Sequence, residues 1–348
     1  MQGFRHSLHR AAAALILGAC AACASCATAP RAWNEPGAEL VWPEPPERAR
    51  IAYVGAIRSP ADLGVGSGWL DRLAAAVFGA EQARMVRPIA VAVNGAGVLV
   101  VADPSVPTVH WFDLENRAYR QLGSNLAAPL RSPVGVAIDS GGRVYVADSA
   151  LGRVFVLDAR DQLVAELGEG LLERPTGLAL DSAEEHLYVV DTIKCRVFVF
   201  DRAGRRAGEF GRRGVGPGEF NAPTSIAVSP DGTLSVSDSL NFRVQRFGAD
   251  GAPLGLFGQL GDGTGNFTRP KGVAADTAGR LYVVDAAFEN VQIFEPDGTL
   301  LLSFGEPGAG PGEFTLPTGL FLDSSNTIWV ADSFNRRVQV FRLLAEQP

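Results

Sequence analysis

The stretch that decides the fold is residues 221–258, which read NAPTSIAVSPDGTLSVSDSLNFRVQRFGADGAPLGLFG. It contains four short runs rich in apolar residues, at 225–228, 234–236, 243–247 and 253–257. Turn signals separate the runs, among them Pro230-Asp231-Gly232 and Asp250-Gly251. Short apolar runs between such turns predict an antiparallel meander of four strands.

The same unit recurs along most of the chain. Each copy opens on a proline, and these are Pro88, Pro133, Pro175, Pro223, Pro270 and Pro317. Each second run ends on an aspartate, at Asp103, Asp148, Asp191, Asp238, Asp285 and Asp332, with intervals of 45, 43, 47, 47 and 47 residues. This period predicts radial blades, because one small sheet cannot bury both of its faces alone. Six copies therefore predict an all-β fold, a six-bladed β-propeller of four-stranded antiparallel blades.

The copies resemble the NHL repeat. The second reads PVGVAID at 133–139, VYVAD at 144–148 and RVFVL at 153–157. The sixth repeats the pattern as PTGL at 317–320, IWVAD at 328–332 and NRRVQVF at 335–341. The resemblance covers roughly residues 85–342 and implies the propeller fold. It does not imply one function, because this architecture hosts binding proteins, scaffolds and enzymes.

The two ends of the chain are predicted to meet in one blade. Five copies contain a fourth run, but only residues 342–348 follow the third run of the sixth copy. An open strand position exposes unpaired backbone groups, so we expect residues 51–57, IAYVGAI, to complete blade six and close the ring. The propeller domain is thus predicted to span residues 51–348. Residues 58–87 form an insertion in which Ser67 and the apolar spacing at 69–78 predict a short helix, either roofing the channel or lying on the rim.

The N-terminus has the features of an export signal. Residues 1–19 combine Arg5 and Arg10 with a short apolar run, and Leu17-Gly18-Ala19-Cys20 resembles a bacterial lipobox. We therefore expect lipidation of Cys20, with ordinary cleavage and secretion as the alternative. Residues 20–50 are rich in proline and are predicted to form a spacer. These features place the protein on the bacterial cell envelope, attached to the membrane by its lipid and facing the periplasm.

Charge and composition exclude some partners and ligands. The net charge of −7 in an exported protein disfavours binding to nucleic acid. The spacing of Cys20, Cys23 and Cys26 is compatible with metal ligands, but no histidine or further cysteine nearby completes a site. We predict no metal, no cofactor and a monomer.

Several repeated residues are predicted to be structural. The six aspartates are followed five residues later by arginine in four copies, which suggests bonding within a hairpin. Glycines on the first strands are predicted to let six backbones converge at the axis. Glycine-rich loops at 214–220, 263–267 and 308–314 lead into strands, so we interpret them as turns, with a phenylalanine between blades, and not as phosphate sites.

The resemblance also brings enzymes into consideration. Lactonase-like propellers hold a metal with glutamate, asparagine and aspartate, and amidating lyases need several histidines. The predicted domain has only His110 and His186, neither expected to face the axis. No acid follows the opening prolines, where the residues are Ile89, Val134, Thr176, Thr224, Lys271 and Thr318. The sequence therefore leans away from an enzyme without deciding the question, and it gives no catalytic residue.

The residues that depart from the repeat are the candidates for binding. Arginine precedes the opening proline in blades one, three and five, at Arg87, Arg174 and Arg269, and Lys271 lies beside the last of these. Together they predict a ring of positive charge at one mouth of the channel, suited to an anionic ligand or an envelope protein. The predicted function is a non-catalytic binding or scaffold module that uses its channel-mouth loops. The alternatives are a metal-dependent hydrolase or lyase of lactonase or amidating-lyase type, and a structural part of an envelope assembly.

Overall fold

The computed structural model describes residues 40–65 and 83–344. The predicted signal peptide, Cys20, residues 20–39 of the predicted spacer and the helix predicted at 69–78 lie outside the described residues. Within the described ranges, no helix has the length and apolar character needed to span a bilayer.

The described residues form a six-bladed β-propeller, as the repeat predicts. Two strands precede the first blade, β1 (Val41–Trp42) and β2 (Ile51–Ile57). Blades one to three consist of β3 (Ala90–Val93), β4 (Val98–Asp103), β5 (Thr108–Asp113), β6 (Ala118–Leu122), β7 (Pro133–Ile138), β8 (Val144–Asp148), β9 (Arg153–Leu157), β10 (Leu163–Leu167), β11 (Pro175–Leu180), β12 (His186–Asp191), β13 (Arg196–Asp201) and β14 (Arg206–Phe210).

Blades four to six follow the same plan of antiparallel neighbours. Their strands and the short strands of the glycine-rich loops are β15 (Arg212–Arg213), β16 (Glu219–Phe220), β17 (Pro223–Val228), β18 (Leu234–Asp238), β19 (Arg243–Phe247), β20 (Pro253–Phe257), β21 (Pro270–Ala275), β22 (Leu281–Asp285), β23 (Asn290–Phe294), β24 (Leu300–Phe304), β25 (Glu306–Pro307), β26 (Glu313–Phe314), β27 (Pro317–Leu322), β28 (Thr327–Asp332) and β29 (Arg337–Leu343). The two described 3₁₀ helices are Pro60–Leu63 and Ser239–Asn241.

The first strands form the inner ring. Each packs against the first strand of the next blade, and β27 packs against β3. In blade six, β2 lies antiparallel to β29, with Ile51 opposite Leu343 and Ile57 opposite Val338. The fourth strand of that blade therefore comes from the N-terminal side of the repeats.

Residues 40–50 differ from the sequence prediction, which assigns them to a spacer. Strand β1 pairs with β2, with Val41 opposite Ala52. The Trp42 ring packs on Phe304 and Phe341, at 5.8 and 5.7 Å between centroids. Pairing of the β2 edge and burial of aromatic surface explain why this segment joins blade six. The blade therefore extends to residue 40.

The inner ring leaves no space for side chains at its closest contacts. A Cβ atom added at Gly177, Gly272 or Gly319 would lie 2.6 to 2.7 Å from the backbone of the next first strand. Glycine is the residue that allows such an approach. Outside this ring the core lies between adjacent blades, where Phe220, Phe267 and Phe314 of the glycine-rich loops are fully buried.

The six repeated aspartates have the structural role predicted for them. Each is buried and accepts a hydrogen bond from a backbone N–H of the loop that enters its blade. Asp148, for example, accepts from Arg131 at 2.7 Å and from Ala150 at 3.0 Å, so it joins the entering loop to the hairpin. These carboxylates fix the backbone at the mouth of the channel.

The predicted pairing with arginine holds in only two of four blades. Arg243 and Arg337 lie 2.9 and 2.8 Å from Asp238 and Asp332. Other N–H groups of the two guanidinium groups donate to backbone carbonyls of the glycine-rich loops. In blades two and three, glutamates on the fourth strand bind the arginine instead, giving the pairs Arg153–Glu166 and Arg196–Glu209.

Candidate functional site

An axial channel with a volume of about 990 Å³ lies between the six first strands. Residues of every first strand line it, together with loops at both ends. Because a six-residue strand spans about 20 Å, the two ends of the channel are separate chemical environments. We call the end where the first strands begin the entry mouth and the opposite end the exit mouth.

The four residues predicted to bind an anion all line the channel at the entry mouth: Arg87, Arg174, Arg269 and Lys271. The three arginines precede the opening prolines and are exposed, whereas Lys271 begins the inner face of β21 and is partly buried. Within the described residues, Arg174, Arg269 and Lys271 have no side-chain hydrogen bond and no acidic partner. The described part of the entry mouth therefore carries positive charge that no acid balances.

The sequence positions around Lys271 have a structural purpose in other blades. In blades three, four and six, a threonine after the opening proline bonds a hydroxyl that follows the repeated aspartate. That second hydroxyl donates to the opening proline of the next blade. The bonds are Thr176–Thr192 at 3.0 Å, Thr192 to Pro223 at 2.7 Å, Thr224–Ser239 at 2.8 Å, Ser239 to Pro270 at 2.5 Å, Thr318–Ser333 at 2.7 Å and Ser333 to Pro88 at 2.7 Å. We call each such pair a hydroxyl clamp.

Blade five lacks the clamp. Lys271 takes the place of the threonine, and Ala286 takes the place of the second hydroxyl residue. Blades one and two also lack the threonine, but there the position is occupied by the apolar residues Ile89 and Val134. A charged side chain thus occupies one place in the ring where its neighbours hold structural hydroxyls. The sequence analysis identifies Lys271 but not Ala286. The role of Ala286 becomes visible only when both hydroxyl positions of blade five are compared with those of the other blades.

The electrostatic environment of Lys271 disfavours its charge. Burial, together with the positive charges of Arg269 and Arg174, lowers the pKa of the Lys271 ammonium from 10.5 to about 8. The two arginines therefore act on Lys271 across the mouth, although they belong to different blades. An anion bound among these three groups would remove the repulsion.

Apolar side chains border the same mouth. Leu240 and Phe334 follow the hydroxyl residues of blades four and six, line the channel and are 56% and 54% exposed. The Arg87 guanidinium lies over the Phe334 ring, 5.6 Å from its centroid. The entry mouth is thus both basic and apolar, and exposed large apolar groups beside unpaired charge are typical of a binding surface.

The exit mouth has the opposite charge. Asp181, Glu184 and Asp323 line it. Each has partners in the protein: Asp181 lies 2.8 Å from His186 Nδ1, Glu184 accepts from the Ser140 backbone at 2.6 Å, and Asp323 accepts from Trp329 Nε1 at 3.2 Å. Among the residues with described positions, the basic mouth has no acidic partners, whereas the acidic groups of the exit mouth are paired.

Neither histidine of the described domain lines the channel. His110 is fully buried, with Nδ1 2.9 Å from the Tyr119 hydroxyl and Nε2 3.7 Å from Asp103. It occupies the third-strand position where blades four to six have glutamine. Within the part of the chain that the structure describes, no group of three or more histidine, cysteine or acidic side chains is arranged to hold a metal ion.

Known proteins resemble the chain in fold. A family model described as "6-bladed beta-propeller" matches residues 178–255 and 272–347, and a model of the NHL repeat matches residues 130–157. None of the curated proteins matches.

Solved structures with a similar fold include two lyases. A streptogramin B lyase is 12% identical, with a TM-score of 0.58 over 75% of this chain and 94% of that one. Virginiamycin B lyase from Staphylococcus aureus is 16% identical, with a TM-score of 0.56 over 74% and 96%. Hydrazine synthase from Kuenenia stuttgartiensis is 15% identical, with a TM-score of 0.54 over 75% and 97%. At these identities the likeness shows the fold alone. The chain is therefore a six-bladed β-propeller, one repeat of which, at residues 130–157, matches the NHL repeat.

Proposed function

We propose that this protein is a non-catalytic binding module whose entry mouth takes an anionic ligand. The observation that carries the proposal is that Arg174, Arg269 and Lys271, at one end of the channel, have no acidic partner in the part of the chain that the structure describes. The protein has an excess of acidic residues, 38 against 31 basic ones, so acids to pair with these groups were available elsewhere in the chain. A basic site left open within an acidic protein attracts anions selectively.

Burial of a cation without a partner costs free energy, and a ligand that supplies the partner recovers it. Lys271 is the group concerned, because its pKa is lowered by burial and by Arg269 and Arg174. Guanidinium groups bind carboxylate and phosphate in a two-pronged geometry, and lysine adds a point charge. A carboxylate or a phosphate monoester therefore fits the chemistry of the entry mouth.

The rest of the ligand would meet apolar surface. Leu240 and Phe334 border the basic groups, and Ile89 and Val134 line the channel just inside them. The channel volume of about 990 Å³ lies at the upper end of the range for small-molecule sites. The acidic exit mouth repels a second negative group. These features favour a small ligand with one anionic end and an apolar or aromatic body.

A lyase is the second candidate, because streptogramin B lyases share the fold. A histidine-to-alanine variant of virginiamycin B lyase, solved with quinupristin, is described as catalytically inactive. In this chain His110 is buried between strands and His186 is bonded to Asp181 outside the channel lining. This placement supports binding over lyase chemistry of that kind.

Calorimetric titration of the full chain tests the proposal. The probes are pyridoxine 5′-phosphate, an anion on an aromatic ring, and pyridoxine, the same ring without the phosphate. We expect the phosphate form to bind about tenfold more tightly or better. Arg174→Gln with Arg269→Gln should abolish that preference, whereas Arg160→Gln with Arg205→Gln, at exposed positions away from the mouth, should preserve it. Equal binding of both probes, or a preference unaffected by the first pair of substitutions, would overturn the proposal.

We also propose that the module is held on the bacterial cell envelope by a lipid on Cys20, facing the periplasm. The apolar run followed by Leu17-Gly18-Ala19-Cys20 supports this. In a bacterial host, metabolic labelling with a fatty acid should mark the full chain and fail to mark Cys20→Ser. Labelling of both, or of neither, would contradict the anchor, and neither would leave secretion as the alternative.

A further inference from the structure

We propose that Lys271 is a nucleophilic amine, and that it forms a reversible imine with an anionic carbonyl compound held by Arg174 and Arg269. The ligand class is a small 2-oxo acid or a phosphorylated aldehyde. This inference rests on the proposed anion site and adds a covalent step to it.

Lys271 occupies a repeat position that other blades use for a structural hydroxyl. The equivalent threonines of blades three, four and six take part in hydroxyl clamps. The Lys271 side chain, by contrast, makes no hydrogen bond or ion pair among the described residues. Ala286 replaces the hydroxyl residue that would stand beside it, so this position offers the amine no hydroxyl partner. The side chain is therefore available for a ligand in the channel.

The backbone on both sides of Lys271 is held in place. Ser239 Oγ donates to the carbonyl oxygen of Pro270 at 2.5 Å. On the other side, a Cβ at Gly272 would lie 2.6 Å from the carbonyl oxygen of Thr318, so the strands are in close contact. A nucleophile on a fixed backbone loses little further entropy when it reacts.

The acidic and phenolic groups on the strands around the amine have partners of their own. Strand β21 packs on β17, β18, β22 and β27, whose titratable residues are Asp238, Tyr282 and Asp285. Asp238 bonds Arg243, Asp285 accepts from backbone N–H groups of residues 268 and 269, and Tyr282 bonds Asp276.

The remaining charges near the amine are cationic. Arg269 and Arg174 act directly on Lys271, and Arg87 lies at the same mouth. In residues 40–65 and 83–344 no acid is placed to hold the ammonium, and the neighbouring cations favour the neutral amine. Lysines beside another cationic group are activated as nucleophiles in this way.

The reaction is balanced without a cofactor. The ammonium first loses a proton to water. The amine nitrogen then bonds to the carbonyl carbon, and one N–H proton moves to the carbonyl oxygen to give a carbinolamine. The carbinolamine then loses its hydroxyl group and the remaining N–H proton as one water molecule, which leaves the C=N bond of the imine. Addition of water reverses each step, so nothing is oxidised or reduced.

Reductive trapping tests the inference. Lys194 and Lys271 are the only lysines in the sequence, so each labelled lysine can be assigned directly. The full chain is incubated with pyridoxal 5′-phosphate and reduced with borohydride, and the modified peptides are quantified by mass spectrometry. We expect Lys271 to be labelled about tenfold faster than the exposed Lys194. Pyridoxal without phosphate should show much less preference for Lys271.

Variants complete the design. Lys194→Arg should leave the labelling of Lys271 unchanged. Lys271→Thr should remove it, and this variant restores the residue type that other blades carry, so its folding is expected to be intact; circular dichroism checks this. Arg174→Gln with Arg269→Gln should slow the labelling of Lys271. Equal labelling of the two lysines would overturn the inference.

The covalent step and the anion site can fail separately. If pyridoxine 5′-phosphate, which has no carbonyl group, binds with the dependence on Arg174 and Arg269 described above but Lys271 is not trapped preferentially, the anion site stands and the imine is wrong. If neither binding nor preferential trapping is found, both are wrong.

Discussion

A Cβ atom placed on Gly135 of blade two would lie 1.8 Å from the carbonyl oxygen of Thr176 in blade three. No rotation of a side chain relieves such a contact, because both partners are backbone. The inner ring must therefore move apart if this glycine acquires a side chain. We predict that Gly135→Ala lowers the free energy of unfolding by about 2 kcal/mol or more, since it forces neighbouring blades apart.

The matched control is Gly255→Ala on the outer strand β20, where an added Cβ meets nothing within 4 Å. Its effect should stay within about 0.5 kcal/mol. Urea denaturation of the three proteins measures the difference. Similar stabilities for the two variants would contradict the close contact at the axis.

Two arginines at the same repeat position should differ in their contribution to stability. Arg337 is 2% exposed and is bonded to the fully buried Asp332, whereas the Arg153 side chain is 25% exposed and bonds Glu166 and Glu169 at the surface. Arg337→Ala leaves a buried carboxylate without its cation, so we expect a loss of about 3 kcal/mol or more. Arg153→Ala should cost much less, because solvent screens its ion pairs. Chemical denaturation compares them, and equal losses would contradict the assigned partners.

Restoring the missing hydroxyl clamp should stabilise the protein and remove its binding site. We expect Lys271→Thr with Ala286→Ser to raise the free energy of unfolding by about 1 kcal/mol, because a buried cation is lost and hydroxyl hydrogen bonds are gained. Binding of pyridoxine 5′-phosphate should weaken in parallel. Ser239→Ala, which removes an existing clamp, should lower stability by a similar amount. A destabilised double variant with unchanged binding would count against the role given to blade five.

The lowered pKa of Lys271 predicts how stability depends on pH. Its pKa is about 8 in the folded protein against an ordinary 10.5, because burial, Arg269 and Arg174 oppose the charge. Between these values the unfolded chain binds more protons, so wild-type stability should rise with pH by up to about 1 kcal/mol per pH unit relative to Lys271→Thr. Below about pH 8 the difference should be constant. Denaturation at a series of pH values measures it, and Lys194→Thr, which keeps Lys271, is the control that should follow the wild type.

Much of the fold can be predicted from the sequence because the signal is periodic. The positions of Pro88 to Pro317 and Asp103 to Asp332 give the number of blades, and the apolar run at residues 51–57 offers a further strand upstream of the first copy. The joining of residues 40–42 to that blade is not predictable in the same way, because a two-residue strand has no period. Only the packing of Trp42 on Phe304 and Phe341 explains it.

The candidate site is predictable in part. Arg87, Arg174 and Arg269 stand out because they share one repeat position, and the structure brings them to one mouth. The pairing of aspartate with arginine could not be predicted blade by blade, because the competitors Glu166 and Glu209 lie on a different strand. The role of Lys271 becomes apparent only when the threonines of other blades are seen to form hydroxyl clamps, and residue spacing does not show these bonds.

The most direct measurement is the titration of Lys271 itself by NMR. Reductive methylation with an isotope-labelled methyl donor marks Lys194, Lys271 and the N-terminus, and Lys194→Arg assigns the signals. The account predicts that Lys271 titrates near pH 8 and that pyridoxine 5′-phosphate moves this value upward, because an anion joins the unpaired cations. A Lys271 signal that titrates near 10.5, and does not move when the anion is added, would contradict it.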